Sequence, residues 1–173
     1  MKLDFSVGMG RNLRIDEVAS HAKVAEESGF KQMTFVDQQN LSRDVYAMMT
    51  IAALNTHRIL IGQGVTQPYT YHPSVIANAT ATVDELSGGR VFLGIGAGGN
   101  ALRSMGQKMG TMKAFRESVE FIKRYMSGEE AEYQGAKMHS EWVRRAVPTY
   151  MASAGARSLQ LAGELADGVI FLG

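Results

Sequence analysis

The sequence predicts an α/β fold of the TIM (β/α)8 barrel type, with about six strand–helix units instead of eight, and three observations support this. Six short apolar runs alternate with amphipathic segments along the chain. Glycine-rich or polar loops follow most of these runs. Residues 84–94 and 163–173 resemble each other, since both contain a helix end, a glycine turn and an apolar strand. Strands that alternate with helices form a parallel sheet with right-handed crossovers.

The length of the chain limits this fold. A closed barrel needs eight units and typically about 250 residues, whereas this chain has 173. We therefore predict a truncated or incomplete barrel, and an open six-stranded sheet is the alternative. The chain is predicted to form one domain over residues 1–173, with a surface insertion at about residues 128–146.

The first two units each begin with a short strand. Residues 3–8 form the first strand, and apolar residues at helical spacing then predict a helix that Gly29 ends as a left-handed cap. Residues 32–36 form the second strand, and Ser42 is a candidate cap of the helix that follows. The apolar stripe of that helix has the spacing of a helix packed on a sheet. It consists of Val45, Met48, Met49, Ala52 and Ala53.

The third and fourth units contain glycine-rich strand ends. Residues 58–61 include a continuous apolar run, which is typical of a strand covered on both faces, and Gly62 and Gly64 follow it. The third helix begins at Pro73, whose fixed φ suits a first helical position. Its predicted buried face consists of Val75, Ala79, Val83 and Leu86. Residues 90–96 form the fourth strand.

The last two units follow a loop that ends at about Gly110. The apolar face of the next helix consists of Phe115, Val119, Ile122 and Met126. Within the polar insertion, residues 133–137 favour a small hairpin. Residues 147–152 and 168–173 form the fifth and sixth strands. The helix between them has the apolar residues Leu159, Leu161, Ala162 and Leu165.

The composition excludes several classes of protein. With 45% hydrophobic and 20% charged residues, the chain has an ordinary globular composition. Eighteen basic and 17 acidic residues give a net charge of +1, and no basic stripe predicts a nucleic-acid surface. Cysteine is absent, and the N-terminal residues do not resemble a signal or membrane segment. We therefore expect a cytoplasmic protein without a metal site, which binds neither nucleic acid nor membrane.

Polar and glycine-rich residues follow several predicted strands. Because ligands bind beyond the carboxyl ends of parallel strands, these loops predict the functional site. Asp37 is either an acid that acts on a ligand or a turn residue that satisfies local amides. His72 precedes a helix-opening proline, so it is either a helix cap, which we favour, or an acid–base group. Gly94-x-Gly96-x-x-Gly99 formally matches the dinucleotide fingerprint, but no acidic strand end follows about 20 residues later.

Residues 40–98, NLSRDVYAMMTIAALNTHRILIGQGVTQPYTYHPSVIANATATVDELSGGRVFLGIGAG, resemble the luciferase-like monooxygenase superfamily. Within it they resemble the branch that uses the deazaflavin coenzyme F420, which includes methylene-tetrahydromethanopterin reductases. The likeness extends over residues 3–173, and its most specific parts are residues 64–73, 85–90, 152–155 and 166–169. It implies a (β/α)8 barrel of roughly twice this length, of which this chain corresponds to the first three quarters.

The resemblance also implies where a cofactor binds. In this family a non-prolyl cis peptide bond after the third strand lies against the centre of the flavin or deazaflavin ring, and the matching bond here is Gly64–Val65. The loops that hold the cofactor's phosphate or side chain match residues 96–100 and 153–155. The candidate catalytic residues are Asp37, Gln38 and His72. The candidate cofactor-binding residues are Gln39, Gly62, Gly64, Val65, Thr66, Gln67, Gly96, Ala97, Gly98, Asn100, Ser153, Ala154 and Gly155.

The implied function is an oxidoreductase that transfers a hydride between bound F420 and a small organic substrate. Relatives with an Asp-His pair after the second strand use the histidine, whereas Gln38 and Gln39 follow Asp37 here. A glutamine side chain does not exchange protons near neutral pH. The alternatives are a monooxygenase of the same superfamily that uses FMN, and a non-catalytic barrel module that assembles with another chain. Because a truncated barrel has unpaired strand edges, we expect a homo-oligomer formed through barrel edges or helices.

Overall fold

The computed structural model describes residues 4–143 and 145–171. The predicted first strand, insertion and last strand also include Leu3, Arg144, Leu172 and Gly173, which lie outside the described residues. The strands of the described part are β1 (Ser6–Met9), β2 (Gln32–Phe35), β3 (Leu60–Gln63), β4 (Val91–Ile95), β5 (Ala131–Tyr133), β6 (Ala136–Met138), β7 (Thr149–Ser153) and β8 (Gly168–Phe171). Its helices are α1 (Val18–Glu27), α2 (Val45–Asn55), α3 (Pro73–Ser87), α4 (Gly99–Ser104), α5 (Met112–Met126) and α6 (Ala156–Leu165).

Six of these strands form one parallel sheet, in the order β1-β2-β3-β4-β7-β8. In the centre of its first half, Met33 of β2 pairs with Val7 of β1 and with Ile61 of β3. The sheet is curled, because Ser6 of β1 and Ile170 of β8 line the same interior cavity. We call this curled sheet the half-barrel. The prediction of a partial barrel is confirmed: within the described residues it has six parallel strands, and helices follow the first five.

Two aromatic rings fill the middle of the half-barrel. Phe92 of β4 and Tyr150 of β7 lie with their ring centroids 5.1 Å apart. The ring of Phe92 covers Gly62 so closely that a Cβ atom at residue 62 would lie 2.3 Å from Cε2 of the ring. Gly62 is therefore an interior packing residue of β3. Beside these rings the interior retains a cavity of about 540 Å³.

The two end strands leave apolar side chains exposed. Phe5, just before β1, is 68% exposed, and Phe171 of β8 is 66% exposed. Among the strands that the structure describes, β1 and β8 each have a hydrogen-bonded neighbour on one side only. Such strand edges promote association with other chains. The homo-oligomer stays a prediction.

Helices α2 and α5 pack as their sequence patterns predict, since every residue of both predicted faces is buried. The predicted face of α3 is correct for Val83, which is buried, and wrong for Val75 and Leu86, which are 48% and 47% exposed. Thr80 and Asp84 are buried instead. The reason is hydrogen bonding. Thr80 Oγ1 accepts a bond of 3.0 Å from a side chain of β3, and Asp84 Oδ1 accepts one of 3.0 Å from the backbone of β4. These partners satisfy polar side chains on the buried face.

Smaller differences from the sequence predictions concern boundaries and caps. The first five strands of the sheet begin or end up to three residues from their predicted bounds. Asp44 caps α2, because its Oδ1 accepts a bond of 2.8 Å from the amide of Ala47, whereas Ser42 bonds to the backbone of Val36 and Gln38. The short helix α4 lies within a predicted loop. The predicted hairpin is present as antiparallel β5 and β6, and the predicted cap Gly29 has a φ of 85°.

Arg90 joins α2, β3 and α3 at the amino-terminal end of the strands. Its guanidinium donates to the carbonyl oxygens of Ala53, Thr56, Ile59 and Ser87 at 2.8–3.0 Å, and also to the hydroxyl of Thr56. The planar arrangement of five N–H groups suits this set of acceptors, and a lysine side chain does not reproduce it. The sequence Ser-Gly-Gly-Arg at the end of α3 therefore has a structural role.

Glu26 of α1 holds the loop that leads into β3. Its carboxylate accepts hydrogen bonds from the backbone amides of His57, Arg58 and Ile59, at distances of 2.6–3.1 Å. Burial raises the pKa of Glu26, but the three amide donors and the charge of Arg58 outweigh burial and lower the pKa below its ordinary value of 4.5. The ionised form of Glu26 therefore stabilises the folded state.

Glu26→Gln should lower the free energy of unfolding by about 1–3 kcal/mol at pH 7, because a neutral amide is a weaker acceptor for three backbone donors. The difference in unfolding free energy between wild type and variant should be largest above pH 4.5, the ordinary pKa of a glutamate. It should vanish as the pH falls through the lowered pKa that Glu26 has in the folded state. Urea unfolding between pH 3 and 7 measures this. Glu27→Gln, at the exposed neighbour, is the control, and equal losses in both variants would contradict the role of Glu26.

Candidate functional site

A cleft of about 340 Å³ lies at the carboxyl ends of β2, β3, β4 and β7. Its lining combines the backbone of glycine-rich turns with a few polar side chains. Ligands of parallel α/β proteins bind at this end of the sheet. The lining residues are Val36, Asp37, Gln38, Gly64, Val65, Gln67, Gly96, Ala97, Gly98, Gly99, Asn100, Ala101, Ala152, Ser153 and Ala154.

The chain leaving β3 forms one wall of this cleft. The peptide bond Gly64–Val65 is cis, as the resemblance implies, and this prediction is confirmed. Beyond it, Thr66 continues the pairing with β4: its amide donates to the carbonyl of Gly94 at 2.8 Å, and its carbonyl accepts from the amide of Gly96 at 2.9 Å. The exits of β3 and β4 are therefore fixed to each other.

The chain leaving β4 packs against the loop after β3. Gly98 has a φ of 77°, which disfavours residues with a side chain. A Cβ atom on Gly98 would also lie 2.8 Å from Cβ of Gln67. At the exit of β7, the hydroxyl of Ser153 donates to the carbonyl of Ser158 in α6 at 3.1 Å. Three strand exits thus contribute backbone and small side chains to one cleft.

Asp37 is the acidic side chain of the cleft. It is 3% exposed, its Oδ2 accepts a bond of 2.6 Å from the hydroxyl of Thr66, and its Oδ1 accepts one of 2.8 Å from Nε2 of Gln39. Burial raises the pKa of Asp37 and the charge of Asp44 raises it further, and the two hydrogen bonds only partly oppose this. Among the described residues that line the cleft, Asp37 carries the only carboxyl group.

A second and smaller pocket adjoins the cleft at Asp37 and Gln38, which line both. It has a volume of about 230 Å³ and is otherwise lined by polar and aromatic side chains of the β2–α2 loop and of the segment before α3. Its remaining residues are Gln39, Asn40, Ser42, Arg43, Asp44 and Tyr71. Asp37 therefore lies between two cavities.

The structure brings most of the sequence-predicted site residues to the cleft, with five exceptions. Gln39 and Thr66 form hydrogen bonds with Asp37 but do not line the cleft, and Gly62 lies under Phe92. His72 caps α3, since its Nδ1 accepts a bond of 3.2 Å from the amide of Ser74, and it does not line the cleft. Gly155, the N-cap of α6, is also outside the lining.

Four residues that line the cleft were missed by the sequence prediction: Val36, Gly99, Ala101 and Ala152. All four are direct neighbours of predicted residues, so extending each group of predicted residues by one position includes them. No sequence pattern indicates the bond between Gln39 and Asp37.

The described part of the chain shows neither a metal site nor a helix suited to span a membrane. It contains no group of three or more histidine, aspartate or glutamate side chains placed to hold a metal ion. None of its helices has both the length and the apolar character that a bilayer-spanning segment needs.

Comparison with known proteins shows which family this chain belongs to. The family model described as luciferase-like monooxygenase matches residues 3–173. The 5,10-methylenetetrahydromethanopterin reductase of Archaeoglobus fulgidus is 35% identical over 178 residues, which cover 97% of this chain and 52% of that protein. The F420-dependent hydroxymycolic acid dehydrogenase of Mycobacterium tuberculosis is 31% identical, over 91% of this chain and 49% of that protein.

A solved structure shows the same arrangement of strands and helices. The coenzyme F420-dependent tetrahydromethanopterin reductase of Methanopyrus kandleri superposes with a TM-score of 0.84 at 30% identity. The match covers 99% of this chain and 56% of that one. The chain spans about half the length of the curated relatives that it matches.

Gly98→Ala should lower the free energy of unfolding by about 2–4 kcal/mol, because the new methyl group combines an unfavourable φ with a clash against Gln67. Gly106→Ala is the matched control, since Gly106 has a φ of 67° but open space around its Cα. This control should lose only about 1 kcal/mol, the cost of the backbone conformation. Urea denaturation measures both, and equal losses would show that the contact with Gln67 is unimportant.

Proposed function

We propose that this chain, which belongs to the luciferase-like monooxygenase family, forms the cofactor-binding cleft of an F420-dependent oxidoreductase. The enzyme would transfer a hydride between the deazaflavin and a small organic substrate. One observation carries the proposal: the glycine-rich exits of β3 and β4 and the exit of β7 form a cleft, and among its described lining residues the buried Asp37 has the only carboxyl group. F420 is named in the description of a relative at 31% identity and in that of the solved structure at 30% identity, and both support the choice of this coenzyme.

The residues around the cleft fit a flat ring. A Cβ atom at residue 96 would lie 3.0 Å from Cγ2 of Val65 and 3.2 Å from Cβ of Ala152, so the wall between these residues has no space for larger side chains. We assign the ring to the wall formed by Gly64 and Val65, with Gln67 near its edge. The polar tail would lie along residues 96–100 and 153–155, whose backbone amides suit anionic groups.

When bound, the deazaflavin supplies the hydride chemistry, and the protein orients it and excludes water. Reduction or oxidation of many organic substrates also requires a proton at a defined atom. Gln38 has no titratable group, and Asp37 is the carboxyl group of the cleft lining. Burial raises the pKa of Asp37 above its ordinary value, which makes this side chain a better proton donor and acceptor for a substrate than an exposed aspartate. Asp37 therefore takes the proton-transfer role in our proposal.

Titration of the purified protein with F420 tests the proposal directly. Binding should perturb the absorbance of the deazaflavin and raise the unfolding temperature with increasing F420 concentration. FMN is titrated in parallel, and preferential binding of FMN would favour a flavin monooxygenase instead. If neither cofactor binds to the protein made from its complete reading frame, the proposed function is wrong.

Asp37→Asn should lower the rate of hydride transfer by about 100-fold, because an amide does not exchange protons, while F420 binding changes little. Rapid mixing of enzyme-bound F420 with substrate measures the rate, and titration measures binding. Asp4→Asn, the same change at an exposed residue, is the control and should leave both unchanged.

The pH dependence of the same rate identifies the role of Asp37. In the direction in which Asp37 donates a proton, the rate should fall as the pH rises through its raised pKa. In the opposite direction, the rate should fall as the pH drops through that pKa. A profile that is unchanged in Asp37→Asn would contradict proton transfer by this residue.

A further inference from the structure

The carboxamide of Gln67 has a fixed orientation. Its Oε1 accepts hydrogen bonds from the backbone amides of Tyr69 at 2.9 Å and Thr70 at 3.1 Å. Because a backbone amide only donates, Oε1 must face these two amides and Nε2 must face other acceptors. Nε2 donates to the hydroxyl of Thr70 and, in a longer contact of 3.5 Å, to Oε1 of Gln39. The loop after β3 thus determines which group Gln67 presents to Gln39.

Gln39 passes this orientation on to Asp37. Its Oε1 faces the donor of Gln67, so its Nε2 faces Oδ1 of Asp37, at 2.8 Å. If the carboxamide of Gln39 were reversed, its Nε2 would face Nε2 of Gln67, and its Oε1 would face Oδ1 of Asp37. Both contacts would be unfavourable. The hydrogen bonds therefore form a chain with one direction of donation, from the backbone amides to Gln67, from Gln67 to Gln39, and from Gln39 to Asp37. We call these two glutamines the glutamine pair.

The two oxygens of Asp37 consequently differ. Oδ1 meets a group that only donates, so this side of Asp37 disfavours a proton. Oδ2 meets the hydroxyl of Thr66 at 2.6 Å, and a hydroxyl both donates and accepts. When Asp37 is protonated, a proton on Oδ2 can be accommodated by rotation of the Thr66 hydroxyl, while the bond from Gln39 stays in place.

We propose that Gln39, oriented by Gln67, is a positioning residue that keeps Oδ1 of Asp37 as an acceptor and makes Oδ2 the oxygen that carries the proton. This inference rests on the proposed function for its role in catalysis, but the ionisation of Asp37 can be measured without cofactor. No side chain of the glutamine pair exchanges a proton itself. Gln67, although it lines the cleft, acts on Asp37 only through Gln39.

Other titratable groups face Asp37 and must be considered. Asp44 at the start of α2 adds negative charge, and Arg43 lines the same small pocket. Burial raises the pKa of Tyr46 in α2 and of Tyr71 before α3, and the charge of Asp37 contributes to both shifts. The two tyrosines therefore stay neutral while Asp37 titrates. The charges of Asp44 and Arg43 are the same in the variants below, so they cancel in the comparison with wild type.

The test follows the carboxyl carbon of Asp37 by NMR in protein labelled with ¹³C at the aspartate carboxyl groups, with Asp37→Asn to assign the signal. Gln39→Met removes the donor to Oδ1 and should lower the proton dissociation constant of Asp37 about tenfold, since a hydrogen bond to the charged form is lost. An unchanged titration of Asp37 in Gln39→Met would overturn the proposal.

Gln67→Glu tests the relay from a distance. Its oxygens still accept from Tyr69 and Thr70, but it no longer donates to Gln39, so Gln39 should reverse and present its oxygen to Asp37. The dissociation constant should again fall about tenfold. In the Gln39→Met background the relay is interrupted, and Gln67→Glu should add only the smaller effect of its charge. An equal change in both backgrounds would contradict the relay.

Gln39→Glu provides a variant of nearly unchanged shape, should Gln39→Met fail to fold. Two carboxyl groups would then face each other and share one proton, so their titrations should separate into two coupled steps. Independent titration of the two groups would overturn the contact between residues 39 and 37. Because no measurement uses F420, failure of cofactor binding would refute the proposed function and leave this result in place.

Discussion

The close contact between β3 and β4 is the constraint on which the cleft depends. A Cβ atom on Gly94 would lie 1.8 Å from the carbonyl oxygen of Gln63, so only glycine allows the two strands to approach as they do. This approach lets Thr66 continue the pairing beyond the ends of both strands. The hydroxyl of Thr66 is thereby held 2.6 Å from Oδ2 of Asp37. The absence of a side chain at Gly94 of β4 therefore helps to fix the carboxyl group of Asp37, in the loop after β2, through its bond to Thr66.

The sequence predicts most of the fold because most of its elements are held by apolar burial. The predicted apolar faces of α2 and α5 are confirmed, because the spacing of apolar residues determines which side of each helix is buried. In α3 the hydrogen bonds of Thr80 and Asp84 decide instead, and these partners lie on strands that are distant in sequence. The short helix α4 has two glycines at its start and no apolar stripe, so periodicity does not indicate it.

The site is predicted to a similar extent, and for a related reason. The rule that ligands bind at the carboxyl ends of parallel strands places Asp37, Gly64 and Gly96 together, because it depends only on the order of the elements. It does not predict how side chains orient one another. The contact between Gln39 and Gln67 joins two loops that are 28 residues apart, and its direction depends on backbone amides after β3.

The packing of Phe92 on Gly62 has a consequence for how this sequence can vary. The two residues occupy neighbouring strands and together fill one volume in the interior. A side chain introduced at residue 62 alone has nowhere to go, and a smaller residue at 92 alone leaves a void. Residues 62 and 92 are therefore expected to vary together. A tolerated double substitution places the large side chain on residue 62 of β3 and glycine on residue 92 of β4, so that the total side-chain volume stays the same.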